Sequence, residues 1–497
     1  MNLPEVGVGL TWVPGLESVV EANRGLINVL EVEPQALWRR PAGQAPFCNS
    51  VPVAVSQESF VFDDVAIAAL QRWPIPKLLH SVNCPVGGTL APEPAELQPL
   101  SALARKLEAC WMSEHLAFNR ASGASGVGNT GLLLPARPTL AGVDAAVNSV
   151  RAVACRMPVP LAIETGVNYL RRRPEELPDG EFVARVAEAA DCGILLDLHN
   201  VWTNDRNGRQ SIGDYIEQLP LERVWEVHLS GGHFRGGFWL DSHSGTVPPE
   251  LLELAARIVP RLPNLKAIVF EMVPSSFAKV GEFGVRLQLE DLHRLWDRRN
   301  SARISEPPVR SKPQVRDPLP SPQDWEQTLA ALVAHRPCPS ALADELRADP
   351  GIAVLREMVE RWRASIIVRT LRLTSRLIML ERGTAYFEQL LTHFWRTHAP
   401  ELTPLEEAAA FTAFLRECNP YVPFLKEILE YDCAVLAVSA DGEERSICFG
   451  ADPLPLLSAL GAGRRPTEIP AGEFEIRLTP DQIDGGTGGF SDIPLMH

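Results

Sequence analysis

Short apolar runs recur through the first part of the chain, separated by polar and turn-forming residues. Eight runs stand out, at residues 6–10, 27–33, 76–82, 111–118, 160–167, 192–200, 223–231 and 265–273. Helix-like stretches lie between most of them. Eight strands alternating with helices over about 250–300 residues are typical of a (β/α)8 barrel of the TIM type. A doubly wound open sheet is the alternative, but no glycine-rich dinucleotide-binding turn follows the first run.

The pattern changes near residue 300. Residues 301–323 are rich in proline and lack apolar periodicity, which indicates a semi-stiff linker. Beyond it, residues 351–396 show amphipathic helical spacing, and the segments 433–440, 445–450 and 473–479 are β-like. The sequence therefore predicts an α/β chain with three parts: a TIM-type barrel at 1–300, a linker at 301–323, and a smaller α+β domain at 324–497.

Composition narrows the class of protein. The net charge is −15 and no basic run occurs, which argues against binding to nucleic acid or to anionic membranes. The N-terminus lacks the basic and apolar regions of a secretory signal, and no segment approaches the ~18 apolar residues of a membrane span. The nine cysteines are scattered without a CxxC pair, which argues against a disulfide framework or a thiolate zinc site. These features predict a cytoplasmic protein.

Three acid-x-His triplets fall within one short stretch of the barrel region. They are Asp197-Leu198-His199, Glu226-Val227-His228 and Asp241-Ser242-His243. Residues i and i+2 of a strand point to the same face, so each triplet can aim a carboxylate and an imidazole into one space. Such mixed oxygen and nitrogen donors are the ligands of transition metals.

Further donors lie near the ends of the other predicted strands, and in a barrel these ends meet at one mouth. The set comprises His80, His115, His199, His228, His243, Glu164, Asp197, Asp241 and Glu271. A lone histidine or acid is more often a hydrogen-bonded structural residue or a cap. Burying so much charge without a counter-ion would cost several kcal/mol per group, so the joint occurrence favours a metal centre. The set is too large for one ion and suits two or three, with iron, manganese and zinc all plausible.

Five other residues are weaker candidates for contacts to the ligands or the substrate. Glu31 and Glu33 share a face of the second strand, where an ion pair at the mouth is the alternative. His233 follows Gly231-Gly232 and is either a ligand, a substrate-positioning group or a solvated loop residue. Asn200 could orient a ligand, although turn chemistry explains it equally well. His199 completes this set, because its role among the donors stays open.

Nine motifs in the barrel region resemble those of the multinuclear non-haem iron-dependent oxidative enzymes that modify peptides, as in methanobactin-type maturation. They are GVGL (7–10), LEVEP (30–34), LLHSV (78–82), SEHLAF (113–118), IETGVNYL (163–170), LLDLHNVW (195–202), EVHLSGGH (226–233), LDSHSGTV (240–247) and FEMVP (270–274). The resemblance implies a barrel holding two or three irons (Fe2+/Fe3+). It also implies O2 as co-substrate for oxidation of a residue, often cysteine, in a ribosomally made precursor peptide.

Carried over position by position, the resemblance assigns eight iron ligands and no catalytic side chain beyond them. The ligands are His80, His115, Glu164, Asp197, His228, Asp241, His243 and Glu271. The chain departs from the family pattern at Thr165, His199 and Val273, where the family commonly has Asn, Asn and an acid. His199 is therefore either an extra ligand or a substrate contact, and Glu226 is expected to be structural.

Residues 430–480 resemble the separate partner protein that accompanies these oxidases and helps to recruit the precursor peptide. The resemblance implies a fused recruitment domain, which would make a separate partner protein unnecessary. A free sheet edge in it could bind a leader peptide by strand addition, or the domain could only brace the barrel. Two other functions remain open for the whole chain: a divalent-metal TIM-barrel isomerase or endonuclease-like enzyme, and a non-catalytic scaffold that binds metal or peptide. The charge of −15 argues against the nuclease.

Overall fold

A computed structural model describes residues 3–39, 60–123, 126–299, 320–401 and 403–480. The strands are β1 (Gly7–Trp12), β2 (Val29–Val32), β3 (Trp38–Arg39), β4 (Val61–Phe62), β5 (Lys77–Ser81), β6 (Met112–His115), β7 (Ala117–Gly123), β8 (Gly126–Pro135), β9 (Leu161–Glu164), β10 (Gly193–Asp197), β11 (Val224–Ser230), β12 (Gly232–Arg235), β13 (Phe238–Asp241), β14 (Ala267–Glu271), β15 (Arg445–Ala451) and β16 (Ala471–Leu478).

The helices of the barrel region are α1 (Glu17–Ala22), α2 (Asp64–Gln71), α3 (Pro94–Lys106), α4 (Leu140–Ala154), α5 (Asp179–Ala190), α6 (Leu198–Arg206), α7 (Ile212–Gln218), α8 (Pro249–Ile258) and α9 (Phe277–Trp296). Those of the C-terminal region are α10 (Pro322–Val333), α11 (Ala341–Arg347), α12 (Gly351–Thr370), α13 (Arg372–Arg382), α14 (Thr384–Thr397), α15 (Pro404–Cys418), α16 (Leu425–Asp441) and α17 (Pro453–Gly461).

Eight parallel strands close into a barrel in the order β1, β2, β5, β6, β9, β10, β11 and β14, and β14 pairs back onto β1. Each of them overlaps one of the eight predicted apolar runs, and the TIM-type fold is confirmed. The strands β1, β5, β9, β10 and β14 are buried at every position. Strands that are covered on both faces have continuous apolar sequences, which is why the eight strands can be recognised from the sequence.

In the described part of the chain, two antiparallel hairpins follow barrel strands directly, and the short antiparallel pair β3–β4 follows β2. The hairpin β7–β8 follows β6, and the hairpin β12–β13 follows β11 with Gly232 opposite Asp241. The third acid-x-His triplet therefore does not lie within one strand, because Asp241 ends β13 and His243 follows it. The first triplet also departs from expectation, because Asp197 ends β10 while His199 lies in the first turn of α6. Only Glu226 and His228 share one strand as predicted.

Where the structure describes it, the C-terminal region is mostly helical, with one two-stranded sheet formed by β15 and β16. The helical pattern at 351–396 and the β-like segments at 445–450 and 473–479 are confirmed. The prediction of a β-like segment at 433–440 is wrong, because these residues continue α16. The buried positions of this helix recur every three or four residues, from Leu425 through Ile428, Leu429 and Cys433 to Val438. That is the spacing of a helix face, although the residue types are also common in strands.

One hydrophobic cluster joins the barrel region to the first helices of the C-terminal region. From the barrel side it contains Phe118, Leu134, Tyr169 and Leu170, and from the other side it includes Trp325, Leu329, Ile352 and Leu355. The guanidinium groups of Arg137 and Arg173 each lie 5.2 Å from the ring of Trp325. Most of the predicted linker at 301–323 lies outside the described residues, and the domain limits at 300 and 323 stay predictions. No helix in the described ranges is long and apolar enough to cross a membrane.

A buried acid in the C-terminal region should make the unfolding free energy of the protein depend on pH. Asp432 on α16 accepts hydrogen bonds from the backbone N–H groups of Thr374 (2.8 Å) and Leu373 (3.4 Å), and burial raises its pKa to about 7. Because the folded pKa exceeds the unfolded one, this group favours folding at low pH. Its contribution is lost as the pH rises towards the folded pKa, by up to about 1.4 kcal/mol per pH unit.

We expect Asp432→Asn, which keeps an acceptor oxygen, to flatten the fall in unfolding free energy between pH 5 and pH 8. Denaturant titrations at several pH values measure this, with the exposed Asp344→Asn on α11 as a control. Parallel pH profiles for Asp432→Asn and the unmodified chain would contradict the assignment.

Candidate metal centre

The C-terminal ends of seven barrel strands place charged or imidazole side chains inside the mouth. These side chains are Glu31, His80, His115, Glu164, Asp197, His228 and Glu271. Within the described residues, three overlapping groups of donor atoms could hold a metal ion: His80, His115 and Glu164; Glu164, Asp197, His228 and Glu271; and Glu31, Glu226 and His228. Six of the eight predicted ligands thus come together in the first two groups.

In the first group two imidazoles face one carboxylate oxygen. His80 Nδ1 lies 2.8 Å from Ser113 Oγ, and that hydroxyl donates to the carbonyl of Leu79 at 3.3 Å. His115 Nδ1 donates to the carbonyl of Ser81 at 3.1 Å. Both rings therefore carry a hydrogen on Nδ1, and this leaves Nε2 as the nitrogen that could bind a metal.

The two Nε2 atoms point at Glu164 Oε2, at 3.3 Å from His80 and 2.8 Å from His115. Burial lowers the pKa of His80 to about 4. Burial also opposes charge on His115, but Glu164 and Glu114 together outweigh it and raise the pKa of His115 well above its usual value. A proton on His115 thus occupies the place where a cation would sit, and a bound metal would displace that proton.

The second group contains an unsatisfied carboxylate oxygen. Asp197 Oδ1 caps α6 by accepting from the backbone N–H of Asn200 at 2.9 Å. Asp197 Oδ2 is buried and has no hydrogen-bond partner among the described residues. Burial, followed by the charges of Asp241, Glu164 and Glu271, raises the pKa of Asp197 well above its usual value. A buried oxygen without a partner costs about 1–3 kcal/mol, which a metal ion would offset, so the donors present fit a metal.

In the third group, the carboxylates of Glu31 and Glu226 orient the ring of His228. Thr11 Oγ1 donates to Glu31 Oε1 at 3.0 Å, and Trp111 Nε1 donates to Glu226 Oε2 at 2.8 Å. The other carboxylate oxygen of Glu31, Oε2, lies 3.0 Å from His228 Nε2. Burial raises the pKa of Glu31 to about 8. Held from this side, the ring of His228 presents Nδ1 to Glu271 at 3.1 Å and thus to the second group.

The remaining two predicted ligands lie on the segment that begins at the end of β13. His243 Nε2 lies 3.1 Å from Asp241 Oδ2, and His243 Nδ1 lies 3.1 Å from Glu271 Oε1. The pKa of His243 is held well above its usual value, because Asp241 and Glu271 outweigh the effect of burial. Asp241 and His243 therefore adjoin the second group through Glu271, although they belong to none of the three groups.

His199 contacts a predicted ligand and belongs to none of the three groups. Trp239 Nε1 donates to His199 Nε2 at 3.1 Å. Since an indole N–H only donates, this nitrogen is the acceptor, and the ring hydrogen is on Nδ1. Nδ1 in turn donates to Asp241 Oδ1 at 3.1 Å. The sequence left His199 open as a ligand or substrate contact, and the geometry supports a third role, in which it orients Asp241.

The other candidates take different places. Asn200 Nδ2 donates to Glu164 Oε1 at 3.3 Å, so Asn200 contacts the centre directly. Glu33 is half-buried after β2, where burial and Glu271 raise its pKa. His233 is exposed on β12 and belongs to none of the three groups, and its Nδ1 lies 2.9 Å from Ser242 Oγ. Thr11, Trp111 and Trp239 were missed, because ordinary core residues show their role only through contacts with chain segments far away in sequence.

Close packing leaves no room for a side chain at Gly232, directly before His233. A Cβ at Gly232 would lie 2.8 Å from His199 Nε2 and 2.7 Å from Trp239 Nε1, and would collide with the carbonyl oxygen of Leu240. The glycine therefore lets the hairpin close onto His199. A solvated loop is one of the alternatives that the sequence leaves open for His233, but Gly232 and His233 begin a paired strand.

The chain is similar in fold to solved barrel enzymes at low sequence identity. D-psicose 3-epimerase from Clostridium cellulolyticum shows 14% identity and a TM-score of 0.33, with 58% of this chain and 94% of that chain covered. Endonuclease IV from Thermus thermophilus shows 16% identity and a TM-score of 0.34, with 59% and 100% covered. TM-scores in this range carry no conclusion about activity.

Sequence relatives are more informative. A UPF0276 protein of Streptomyces avermitilis is 33% identical over 185 residues, which are 37% of this chain and 38% of the relative. One from Anaeromyxobacter sp. strain Fw109-5 is 31% identical over 205 residues, 41% of this chain and 71% of the relative. A third, from Chromobacterium violaceum, is 26% identical over 259 residues, 51% of this chain and 87% of the relative. Nearly half of this chain therefore lies outside the last match.

Residues 55–273 also match the family described as RiPP precursor modification enzyme MbnB/TglH/ChrH. This match includes every predicted ligand and stops before the C-terminal region. The identity and extent of the Anaeromyxobacter match establish that the chain belongs to the UPF0276 family, and its residues 55–273 are similar to the RiPP precursor modification enzymes that the family model describes.

Proposed function

We propose that this protein is an O2-dependent multinuclear non-haem iron oxidase. Its substrate would be a residue, in the first place a cysteine, of a ribosomally made precursor peptide. The observation that carries the proposal is the overlap of the donor groups at the barrel mouth, where Glu164 and His228 each belong to two groups. The family match supports the substrate class.

The donor set favours more than one ion. Glu164 belongs to two adjacent donor groups: its Oε2 faces the Nε2 atoms of His80 and His115, and its Oε1 accepts from Asn200 Nδ2. Mixed imidazole and carboxylate ligands suit iron, manganese or zinc. Iron, if bound here, would supply the electron transfer to O2 that the oxidation needs. Within the described residues, no cysteine belongs to a donor group, so a thiolate ligand would come from the substrate.

Exposure indicates the side from which a peptide would approach. The side chains of His243, Asp241 and His115 are 24%, 17% and 15% exposed, whereas His80, Glu164 and His228 are 3% exposed or less. Beside them the hairpin β12–β13 carries Phe234, which is 68% exposed. A cysteine entering on this side would meet Asp241 and His243 first.

The C-terminal region would recruit the precursor peptide, and the fusion would make a separate partner protein unnecessary. Among the described residues, the sheet β15–β16 has two strands, so within that part of the chain each strand has an edge that pairs with no other strand of the sheet. A leader peptide could add a strand at such an edge. The charge of −15 makes nucleic acid an unsuitable partner.

The test combines metal analysis with turnover. Protein purified anaerobically from iron-supplemented cells is expected to contain about two or three equivalents of iron and to show ferric absorption after exposure to air. O2 uptake should then depend on a Cys-containing precursor peptide encoded beside the gene, with its Cys→Ala variant as the control substrate. Colourless protein holding zinc or manganese that turns over sugars would support an isomerase. Stoichiometric peptide binding without O2 uptake would support a scaffold.

A further inference from the structure

The segment after β9 connects the candidate metal centre to the C-terminal region. Tyr169 lies in this segment and is 5% exposed. Its hydroxyl accepts a hydrogen bond from the backbone N–H of Asp241 at 3.0 Å, and its ring lies edge-on to Phe238 with centroids 6.3 Å apart. Tyr169 therefore holds both ends of β13.

The other side of the same segment rests on the start of α12. A Cβ at Gly351 would collide with the carbonyl oxygen of Tyr169 and would lie 3.0 Å from the backbone nitrogen of Leu170. Asp349 ties the two parts together, because Oδ2 accepts from the backbone N–H of Arg171 and Oδ1 from that of Gly351, both at 2.9 Å. The backbone of the segment is thus fixed by α12 at close range.

Further contacts between the two regions surround this point. Arg173 Nε donates to Glu345 Oε1 at 2.5 Å, and Arg235 at the end of β12 pairs with Glu357 on α12 at 3.2 Å. Phe238 and Leu240 of β13 pack against the hydrophobic cluster that contains Ile352 and Leu355. The hairpin that carries Asp241 is therefore held by the C-terminal region both directly and through Tyr169.

We infer that the start of α12 helps to position one ligand of the metal centre. Gly351 and Asp349 position Tyr169, and Tyr169 positions the end of β13, which carries Asp241. Tyr169, Asp349 and Gly351 are positioning residues and touch no reacting atom. The inference rests on the proposed function only in taking Asp241 as a metal ligand. It gives the C-terminal region a role at the centre that is independent of peptide binding.

Two variants test this in the full chain. Tyr169→Phe removes only the hydroxyl, and Gly351→Ala displaces the segment. Gly461→Ala is the matched control, because nothing lies within 4 Å of a Cβ at that helix end. In metal-free protein we expect faster amide hydrogen exchange in the peptide covering residues 232–243 for both variants, and no change for Gly461→Ala.

Titration with Fe(II), or with Co(II) as a coloured probe, gives the second readout. We expect roughly 10-fold to 100-fold weaker binding for Gly351→Ala and Tyr169→Phe, as is usual when groups that orient metal ligands are lost, together with a changed Co(II) spectrum. Unchanged exchange in Tyr169→Phe overturns the inference, even if Gly351→Ala fails to fold. Neither readout needs peptide oxidation. A chain that oxidises no peptide but shows these effects would refute the proposed function and keep this inference.

Discussion

Replacing His228 with alanine is expected to remove most of the bound metal. His228 belongs to two of the three donor groups and lies 3.0 Å from Glu31 and 3.1 Å from Glu271. Its loss removes a ligand and leaves Glu31, Glu226 and Glu271 facing one another without an imidazole. Metal analysis after dialysis measures the effect, with the exposed His393→Ala on α14 as the control.

The same substitution should also lower the stability of the metal-free protein. Removing one partner of a buried charged pair typically costs about 3–5 kcal/mol, and protonation of the remaining carboxylates would reduce this. Circular dichroism therefore has to show that the fold persists before metal contents are compared. Full metal content in a folded His228→Ala protein would remove this residue from the ligand set.

Cutting the chain after Arg299 is expected to leave a barrel that does not stay soluble. The cut removes the partners of Phe118, Leu134, Tyr169 and Leu170, which are all buried in the shared cluster. Burial of each such side chain contributes about 1.5–3 kcal/mol, and the whole fold is stabilised by only about 5–15 kcal/mol. It also leaves Arg137 and Arg173 without the ring of Trp325.

Solubility and thermal unfolding of the 1–299 fragment, compared with the full chain, measure this effect. Coexpression with a separate fragment starting at residue 320 provides the control, because it can restore the cluster in trans and the two pieces should copurify. A 1–299 fragment that is monomeric and melts at the same temperature as the full chain would show that the two regions are independent.

The barrel and its donors could be predicted because each follows from a local pattern. Parallel strands buried on both faces give continuous apolar runs, and the ends of such strands meet at one mouth. The hairpin β12–β13 was missed, although a signal was present. Gly236 and Gly237 both have positive φ, at 57° and 88°, and a Gly-Gly pair between two strand-like segments is typical of a two-residue hairpin turn.

Other features could not be read from local patterns. The tautomer of His199 depends on Trp239, which lies 40 positions away in the chain. The segment 433–440 is rich in residues that suit both strands and buried helices, and its helix is decided by packing against the surrounding core. The contact between Gly351 and Tyr169 joins two regions that the sequence presented as separate domains.

The eight predicted ligands divide into two kinds by how the chain carries them. Six lie in the strands of the closed barrel, where the register of neighbouring strands sets their spacing. Asp241 and His243 lie on an excursion between β11 and β14, whose length the barrel does not constrain. Insertions or deletions in that excursion could retune coordination, and with it the chemistry, while the other six donors keep their places. The excursion is thus where related enzymes could diverge in reaction without rebuilding the fold.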